Sequence, residues 1–250
     1  MAGHSKWANI KHRKGAQDAK RSKIFTRIIK ELTVAVKEGG SDPDTNPRLR
    51  TAMQNAKGAN MPKDTIIRTV KKASGADGTS YEEVTFEGYA SNGVAVFVEC
   101  TTDNNNRTVA NIRAIFSKYG GNLGTNGSLE FIFDRKGVFT IAAEKVSMEL
   151  EEFEMELIDV GLEELEKEGE IVLAYTNFSD FSAMQKKLEE LGVELQSAEL
   201  QRIPNSTKAL EVDKSKTVLN MIDKFEEDDD VQNVFHNLEM TEELMIALEQ

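Results

Sequence analysis

The chain has 250 residues, of which 39% are hydrophobic, 30% charged and 7% aromatic. This length exceeds that of a usual single domain, so we expect two or three domains, and the apolar content excludes a disordered chain. No stretch approaches the ~18 apolar residues of a membrane span, and the N-terminus lacks the apolar region of a secretory signal. The single cysteine, Cys100, cannot form an internal disulfide, which fits a reducing cytoplasm.

Charge is distributed very unevenly along the chain. The formal net charge is −12, but residues 1–72 contain 17 Lys and Arg against 6 Asp and Glu, whereas residues 73–250 contain 14 against 37. A basic segment followed by an acidic remainder indicates a dedicated polyanion-binding segment. The net charge of −12 alone would argue against a polyanionic partner.

The N-terminal part is predicted to be helical. Residues 1–15 lack apolar periodicity and are predicted to form a flexible arm. Apolar residues at helical spacing predict a first helix from about Ala16 to Lys37, ended by glycines. Asn46 followed by Pro47 predicts the capped start of a second helix, and Met61–Asp64 opens a third. A small three-helix bundle is therefore expected.

After residue 78 strands and helices alternate. Two strands and a helix come first, predicted over Tyr81–Tyr89, Val94–Thr101 and Arg107–Tyr119. Further strands are predicted over 129–133, 138–141, 171–176, 195–203, 209–212 and 231–235, and helices over 147–160, 180–191, 216–225 and from 241. The acidic runs 163–170 and 226–230 are predicted to be solvated loops. This order of elements indicates an α+β fold.

The first predicted helix has two faces of opposite character. An apolar stripe is formed by Phe25, Ile29, Leu32 and Val36. At ~100° per residue, five cations fall within an arc of roughly 100° on the opposite side, where acidic residues are almost absent. These cations are Lys20, Lys23, Arg27, Lys30 and Lys37. We expect the stripe to pack on the bundle and the cations to face solvent.

Cations, histidines and a tryptophan of the arm extend this basic face. Lysine and arginine neutralise phosphates and an aromatic ring can stack on a base, so together they suit nucleic acid. The predicted nucleic-acid-binding residues are Lys6, Trp7, Lys11, His12, Arg13, Lys14, Lys20, Arg21, Lys23, Arg27 and Lys30. The alternatives are a merely solvated face, a helix that lies on an anionic membrane, and an organelle-targeting peptide. Trp7 could equally pack on the bundle.

A second candidate site is the polar loop that enters the fourth predicted helix. Free N–H groups at a helix start attract anions, and Asp103, Asn106 and Arg107 would form such an anion seat. Plain capping of the helix by Asp103 or Asn106 is the alternative. The sequence offers no metal-ligand spacing, phosphate-binding loop or catalytic constellation. We therefore expect no enzyme activity, no cofactor, no metal and no small-molecule substrate.

Several segments together resemble the YebC/PmpR family, which includes the mitochondrial translational activator of cytochrome c oxidase. The matching segments are MAGHSKWANIKHRKGAQDAKRSKIFTRIIKEL, NPRLRTAMQNAKGANMPKDTI, EGYASNGVAVFVECTTDNNNRT and GGNLGTNGSLEFIF. The match extends from residue 1 to about Asn237, which weighs against the targeting-peptide alternative. One departure is Asn105, where the family usually has an arginine, and this weakens the predicted anion seat.

The resemblance implies an N-terminal three-helix bundle followed by two α/β sandwich domains, the third inserted in the second. The implied domains are residues 1–78, residues 79–134 with 207–238, and residues 135–206, followed by a helical tail over 239–250. No enzyme activity is implied.

The resemblance also implies two functions, both in the cytoplasm. One is a translation factor that binds the ribosome or ribosomal RNA and relieves stalling, for example at proline stretches. The alternative is a DNA-binding transcriptional regulator. We favour the translation factor here, because the acidic remainder would repel naked duplex DNA and lysine contacts carry little sequence information.

Overall fold

The computed structural model describes residues 17–75 and 79–249 of the chain. The predicted arm over residues 1–15 lies outside these ranges. Three helices come first, α1 (Gln17–Gly39), α2 (Pro47–Gly58) and α3 (Lys63–Ser74). The elements that follow are β1 (Glu82–Tyr89), β2 (Ala95–Thr102), α4 (Asn105–Lys118), β3 (Asn122–Leu123), β4 (Phe133–Ala142), α5 (Leu150–Ile158), β5 (Leu162–Glu168), β6 (Ile171–Asn177), α6 (Phe181–Glu190), β7 (Leu195–Pro204), α7 (Val212–Glu226), β8 (Val231–His236) and α8 (Glu242–Glu249).

The connection between α1 and α2 depends on one buried asparagine. The side-chain oxygen of Asn46 accepts a hydrogen bond from the Leu49 N–H at 3.0 Å, so Asn46 caps α2 as predicted. Its side-chain amide donates to the carbonyl groups of Ala35 and Gly40, at 2.7 and 2.8 Å. A single side chain thus provides hydrogen-bond partners for carbonyl groups at the end of α1 and for an N–H group at the start of α2.

The strands form two four-stranded sheets, ordered β3-β1-β2-β8 and β5-β6-β4-β7. In the first sheet β2 pairs antiparallel with both β1 and β8, and in the second β6 pairs antiparallel with both β4 and β5. Every strand of the second sheet lies in sequence between β3 and β8 of the first. This confirms the predicted α+β fold, with one sheet domain inserted in the other.

The chain divides into two compact units. One consists of the described residues up to Lys23 together with Tyr81–Asp134 and the chain from Arg202 onwards, and the other of Ile24–Ser80 and Arg135–Gln201. These units are not the domains predicted from the sequence, whose bounds remain a prediction.

In the first unit, α4, α7 and α8 cover one face of the first sheet. Their core contains Ile112 and Phe116 from α4, Phe225 from α7 and Leu244 from α8, all completely buried. The rings of Phe116 and Phe225 meet edge to face, with centroids 4.9 Å apart. The opposite face carries a smaller cluster around Phe97.

In the second unit, α2 packs against β7, the edge strand of the second sheet. The Asn55 side chain accepts a hydrogen bond from the Ala198 N–H at 2.7 Å and donates to the Ala198 carbonyl at 2.9 Å. It thereby satisfies backbone groups that an edge strand would leave unpaired. A Cβ atom at Gly58 would lie only 2.0 Å from the Gln196 carbonyl oxygen, so the contact requires glycine.

Three sequence predictions are wrong for the elements after residue 128. Residues 129–133 are not one strand, because Glu130–Ile132 forms a 3₁₀ helix and β4 begins at Phe133. The acidic run 163–170 is not a solvated loop, because Leu162–Glu168 forms strand β5 and its Leu162 and Leu165 pack on the core of the second sheet. Residues 209–212 are not a strand. A single parallel bridge joins Lys208 to Leu238, and α7 begins at Val212.

Strand β5 holds an acidic side chain in an unfavourable position. Burial, followed by the charges of Glu164 and Glu168, raises the pKa of Glu166 to about 6. Its Oε2 atom is buried and has no hydrogen-bond partner in the part of the chain that the structure describes. Because the folded chain holds this proton more tightly than the unfolded chain, stability is lost as the pH rises through about 6.

We predict that Gly58→Ala destabilises the second unit by about 1–3 kcal/mol, because the added methyl group forces α2 away from β7. Urea denaturation followed by circular dichroism measures the loss. Gly75→Ala is the matched control, since a Cβ there meets nothing closer than 3.4 Å and its φ is −78°. Equal midpoints for both variants would contradict the close packing of α2 on β7.

We further predict that Glu166→Gln stabilises the chain at about pH 7.5 by up to about 1 kcal/mol, a figure reduced because the side chain is partly exposed. The gain should become small at about pH 4, where most of the glutamate is protonated in both the folded and the unfolded chain. Urea midpoints across this range test the prediction, with the exposed Glu189→Gln as an equal change in charge. A gain that does not depend on pH would refute it.

Candidate nucleic-acid interface

The structure describes only part of the predicted nucleic-acid-binding set. Lys6, Trp7, Lys11, His12, Arg13 and Lys14 lie outside the described residues, and Lys20 lies in α1 where its side chain is not described. Of the remaining four, Arg21 is exposed and Lys23 and Arg27 are half-buried. Their binding role remains a prediction.

Lys23 contacts an acidic loop of its own unit. Its ammonium group forms an ion pair with the Asp229 carboxylate and donates a hydrogen bond to the Glu227 carbonyl oxygen. The carboxylate of Glu227 in turn accepts from Lys224. A phosphate group at Lys23 would therefore have to replace an internal carboxylate.

The prediction that a column of cations on α1 faces solvent is wrong for Lys30, which is only 7% exposed. A helix with a single buried face would leave Lys30 exposed, but α1 has more than one buried face. Thr33 and Val34 lie outside the predicted stripe, yet they are buried together with Leu32 and Val36. The middle of α1 is therefore enclosed on more than one side, and its sequence pattern alone could not show this.

A basic surface that the sequence prediction missed lies on α3. Its exposed cations are Lys63, Arg68, Lys71 and Lys72. They lie opposite Ile66 and Ala73, the buried residues of the same helix. The signal was present in the sequence, because at ~100° per residue these four cations fall within half a turn.

Beside this surface a groove of about 360 Å³ lies between α2, α3 and the loop that precedes α2. Its apolar lining comes from Pro43, Met53, Ile66, Ile67 and Val70, and 53% of the surface of Ile67 is exposed. Lys71 also lines the groove. An apolar groove and cationic side chains thus meet on one side of α3.

The predicted anion seat is filled by the protein itself. Asn104, not Asp103 or Asn106, caps α4, because its side chain accepts a hydrogen bond from the Arg107 N–H at 3.1 Å. The Arg107 guanidinium forms ion pairs with Asp103 at 2.9 Å and Asp230 at 2.7 Å. Its charge is therefore compensated by two internal carboxylates.

Asp230 is the centre of this polar cluster. It is only 4% exposed, although the run 226–230 was predicted to be a solvated loop. One carboxylate oxygen accepts hydrogen bonds from the hydroxyl groups of Thr102 and Thr108, at 3.1 and 2.9 Å, in addition to those from Arg107. The cluster ties the end of β2 and the start of α4 to the residue that precedes β8.

His236 cannot supply positive charge to an interface. Complete burial lowers its pKa to about 3, and its Nδ1 atom accepts a hydrogen bond from the Leu238 N–H at 3.2 Å. The ring is therefore neutral and forms part of the core at the end of β8. Within residues 17–75 and 79–249, no helix has the length and apolar character required to cross a membrane.

Two family models match this chain. Residues 5–76 match the TACO1/YebC protein N-terminal domain, and residues 81–238 match the TACO1/YebC second and third domain. Together the two matches span most of the sequence, including residues outside the described ranges.

Relatives and a solved structure are similar over almost the whole chain. A "probable transcriptional regulatory protein" of Amoebophilus asiaticus is 52% identical, covering 95% of this chain and 98% of the relative. One of the same description from Treponema denticola is 51% identical, covering 97% and 98%. The crystal structure of a conserved hypothetical protein from Aquifex aeolicus matches with a TM-score of 0.84 at 41% identity, covering 96% of this chain and 98% of that one.

We predict that Asp230→Ala lowers the free energy of unfolding by about 2–4 kcal/mol, because it removes the buried acceptor that the Thr102 and Thr108 hydroxyl groups share and one of the two carboxylates that pair with Arg107. Hydrogen exchange of the β8 amides should accelerate first. The control is Asp103→Ala, which removes the half-exposed partner of the same Arg107 and should cost less than about 1 kcal/mol. Similar losses for the two variants would show that burial of Asp230 is not what matters.

Proposed function

Because this chain belongs to the TACO1/YebC family, we propose that it regulates gene expression by binding nucleic acid through its N-terminal helical part. The observation that carries the proposal is the separation of charge, with 17 Lys and Arg against 6 Asp and Glu in residues 1–72 and the reverse imbalance afterwards. Such a separation concentrates attraction for phosphates at one end of the chain.

The names of the relatives favour transcriptional regulation, the alternative of the two functions considered from the sequence. In this form the N-terminal cations hold the phosphate backbone of duplex DNA and fix the position of the protein. Side chains able to read base edges, such as Arg13 and Arg21, would supply the sequence preference.

The second candidate is a translation factor that binds the ribosome or ribosomal RNA. It is favoured by the excess of acidic residues in residues 73–250, which contain 37 Asp and Glu. Such a surface repels an extended duplex on most sides, but it is compatible with a structured RNA that meets only one face of the protein. For both candidates we propose a cytoplasmic protein without catalytic activity.

The two candidates are separated by testing the full chain against both partners. Purified protein is incubated with a library of genomic duplex fragments and, separately, sedimented with ribosomes at about 150 mM salt. Enrichment of a few fragments by more than about 100-fold over random duplex, without ribosome binding, supports transcriptional regulation. Ribosome binding with sequence-blind DNA binding supports the translation factor.

We predict that Lys11→Gln/Arg13→Gln/Lys14→Gln weakens binding to the preferred partner about 10-fold or more, because three phosphate contacts are lost. The matched control is Lys167→Gln/Lys186→Gln/Lys214→Gln, which makes the same change in charge at exposed lysines outside the basic segment. Equal effects of the two variants would indicate a general charge effect. Absence of any DNA, RNA or ribosome binding by the wild-type chain would overturn the proposed function.

A further inference from the structure

Helix α3 carries four cations that form no ion pair with any residue in the described ranges. Its four cations, Lys63, Arg68, Lys71 and Lys72, are all exposed, and Asp64 is the single acidic residue of the helix. A charge that remains uncompensated in the folded chain is available to an external anion at no cost in broken internal pairs.

Several cations elsewhere in the basic segment and in α4 do form such pairs. Arg48 of α2 pairs with Glu31 at 2.8 Å and with Glu38 at 2.7 Å. Lys23 and Arg107 pair with carboxylates of the loop 226–230. In contrast to Lys23, Arg48 and Arg107, the cations of α3 lie together on one exposed helix face without an internal carboxylate partner in the described ranges.

We propose that the exposed face of α3 is a contact surface for the phosphate backbone of nucleic acid. The proposal rests on the nucleic-acid binding proposed above and assigns part of it to residues of a single helix. From Lys63 to Lys72 the helix rises about 13 Å at 1.5 Å per residue, long enough for the four side chains to meet several successive phosphates. Such contacts position the partner and are insensitive to its sequence.

The apolar groove beside α3 offers a different partner, an acidic protein segment with an apolar anchor. The cations favour nucleic acid, because they extend along the whole helix, whereas only Lys71 lines the groove. The two possible partners differ in whether their binding requires Ile67, the exposed apolar side chain within the cationic face. Phosphate contacts do not require it, whereas an apolar anchor in the groove would.

The test measures how binding to an RNA stem-loop and to a duplex DNA of the same length depends on salt, from about 50 to 200 mM. For Arg68→Gln/Lys71→Gln/Lys72→Gln we expect an affinity about 10-fold or more below wild type. The slope of log K against log salt should become shallower by about 2 to 3, since three phosphates lose their partner. Arg68→Lys/Lys71→Arg/Lys72→Arg keeps the charge and should retain the wild-type slope.

Two controls accompany these variants. Lys167→Gln/Lys186→Gln/Lys214→Gln makes an equal change in charge elsewhere and should leave the slope unchanged, and so should Ile67→Ser. The proposed α3 contact surface is contradicted if the wild-type chain binds but the glutamine variant of α3 keeps the wild-type slope. It is also contradicted if either control loses as much affinity as that variant. If the wild-type chain binds and the α3 variant binds equally well, the proposed function stands without the α3 surface. If the wild-type chain binds no nucleic acid, both the proposed function and the α3 surface are contradicted.

Discussion

The first sheet is assembled from segments far apart in sequence, and the buried carboxylate of Asp230 joins them. The chain leaves this sheet after β3, forms the whole second sheet, and returns at β8. Asp230 immediately precedes β8 and accepts hydrogen bonds from Thr102 at the end of β2 and from Thr108 and Arg107 in α4. A buried carboxylate must be paired or hydrogen-bonded, so the returning strand is held where these donors converge.

The same requirement determines which cations remain for a partner. Arg107 forms ion pairs with Asp103 and Asp230, and Lys23 pairs with the acidic loop 226–230. Arg48 pairs with two glutamates of α1. An ion pair with an internal carboxylate lowers the positive charge that such a cation offers to an external partner. The cations of α3 have no such partner within the described residues, in contrast to Lys23, Arg48 and Arg107.

A basic sequence in the N-terminal segment therefore does not by itself decide whether the cations of a helix are available to a partner. Helix α1 has the more conspicuous basic sequence, but Lys30 is buried and Lys23 is paired, whereas α3 has a shorter basic sequence and exposes all of it. Helix α2 serves a third purpose, because Asn55 and Gly58 fit it closely to the edge of β7. Three consecutive helices thus differ in role: the middle of α1 is buried, α2 packs on β7, and α3 exposes its cations.

The sequence by itself determined the local features of this protein. Apolar periodicity located the helices of the N-terminal part and most strands, Asn46 with Pro47 marked the start of α2, and the count of charges identified the basic segment. These features depend on neighbours within a few residues, which a sequence displays directly. Only the tertiary structure decided that Leu162–Glu168 is a strand, that Lys30 is buried, that Asp230 fills the anion seat and that the α3 cations lack internal partners. Burial and ion pairing depend on residues brought together from distant parts of the chain, such as Asp230 with Arg107, and no local pattern records those distances.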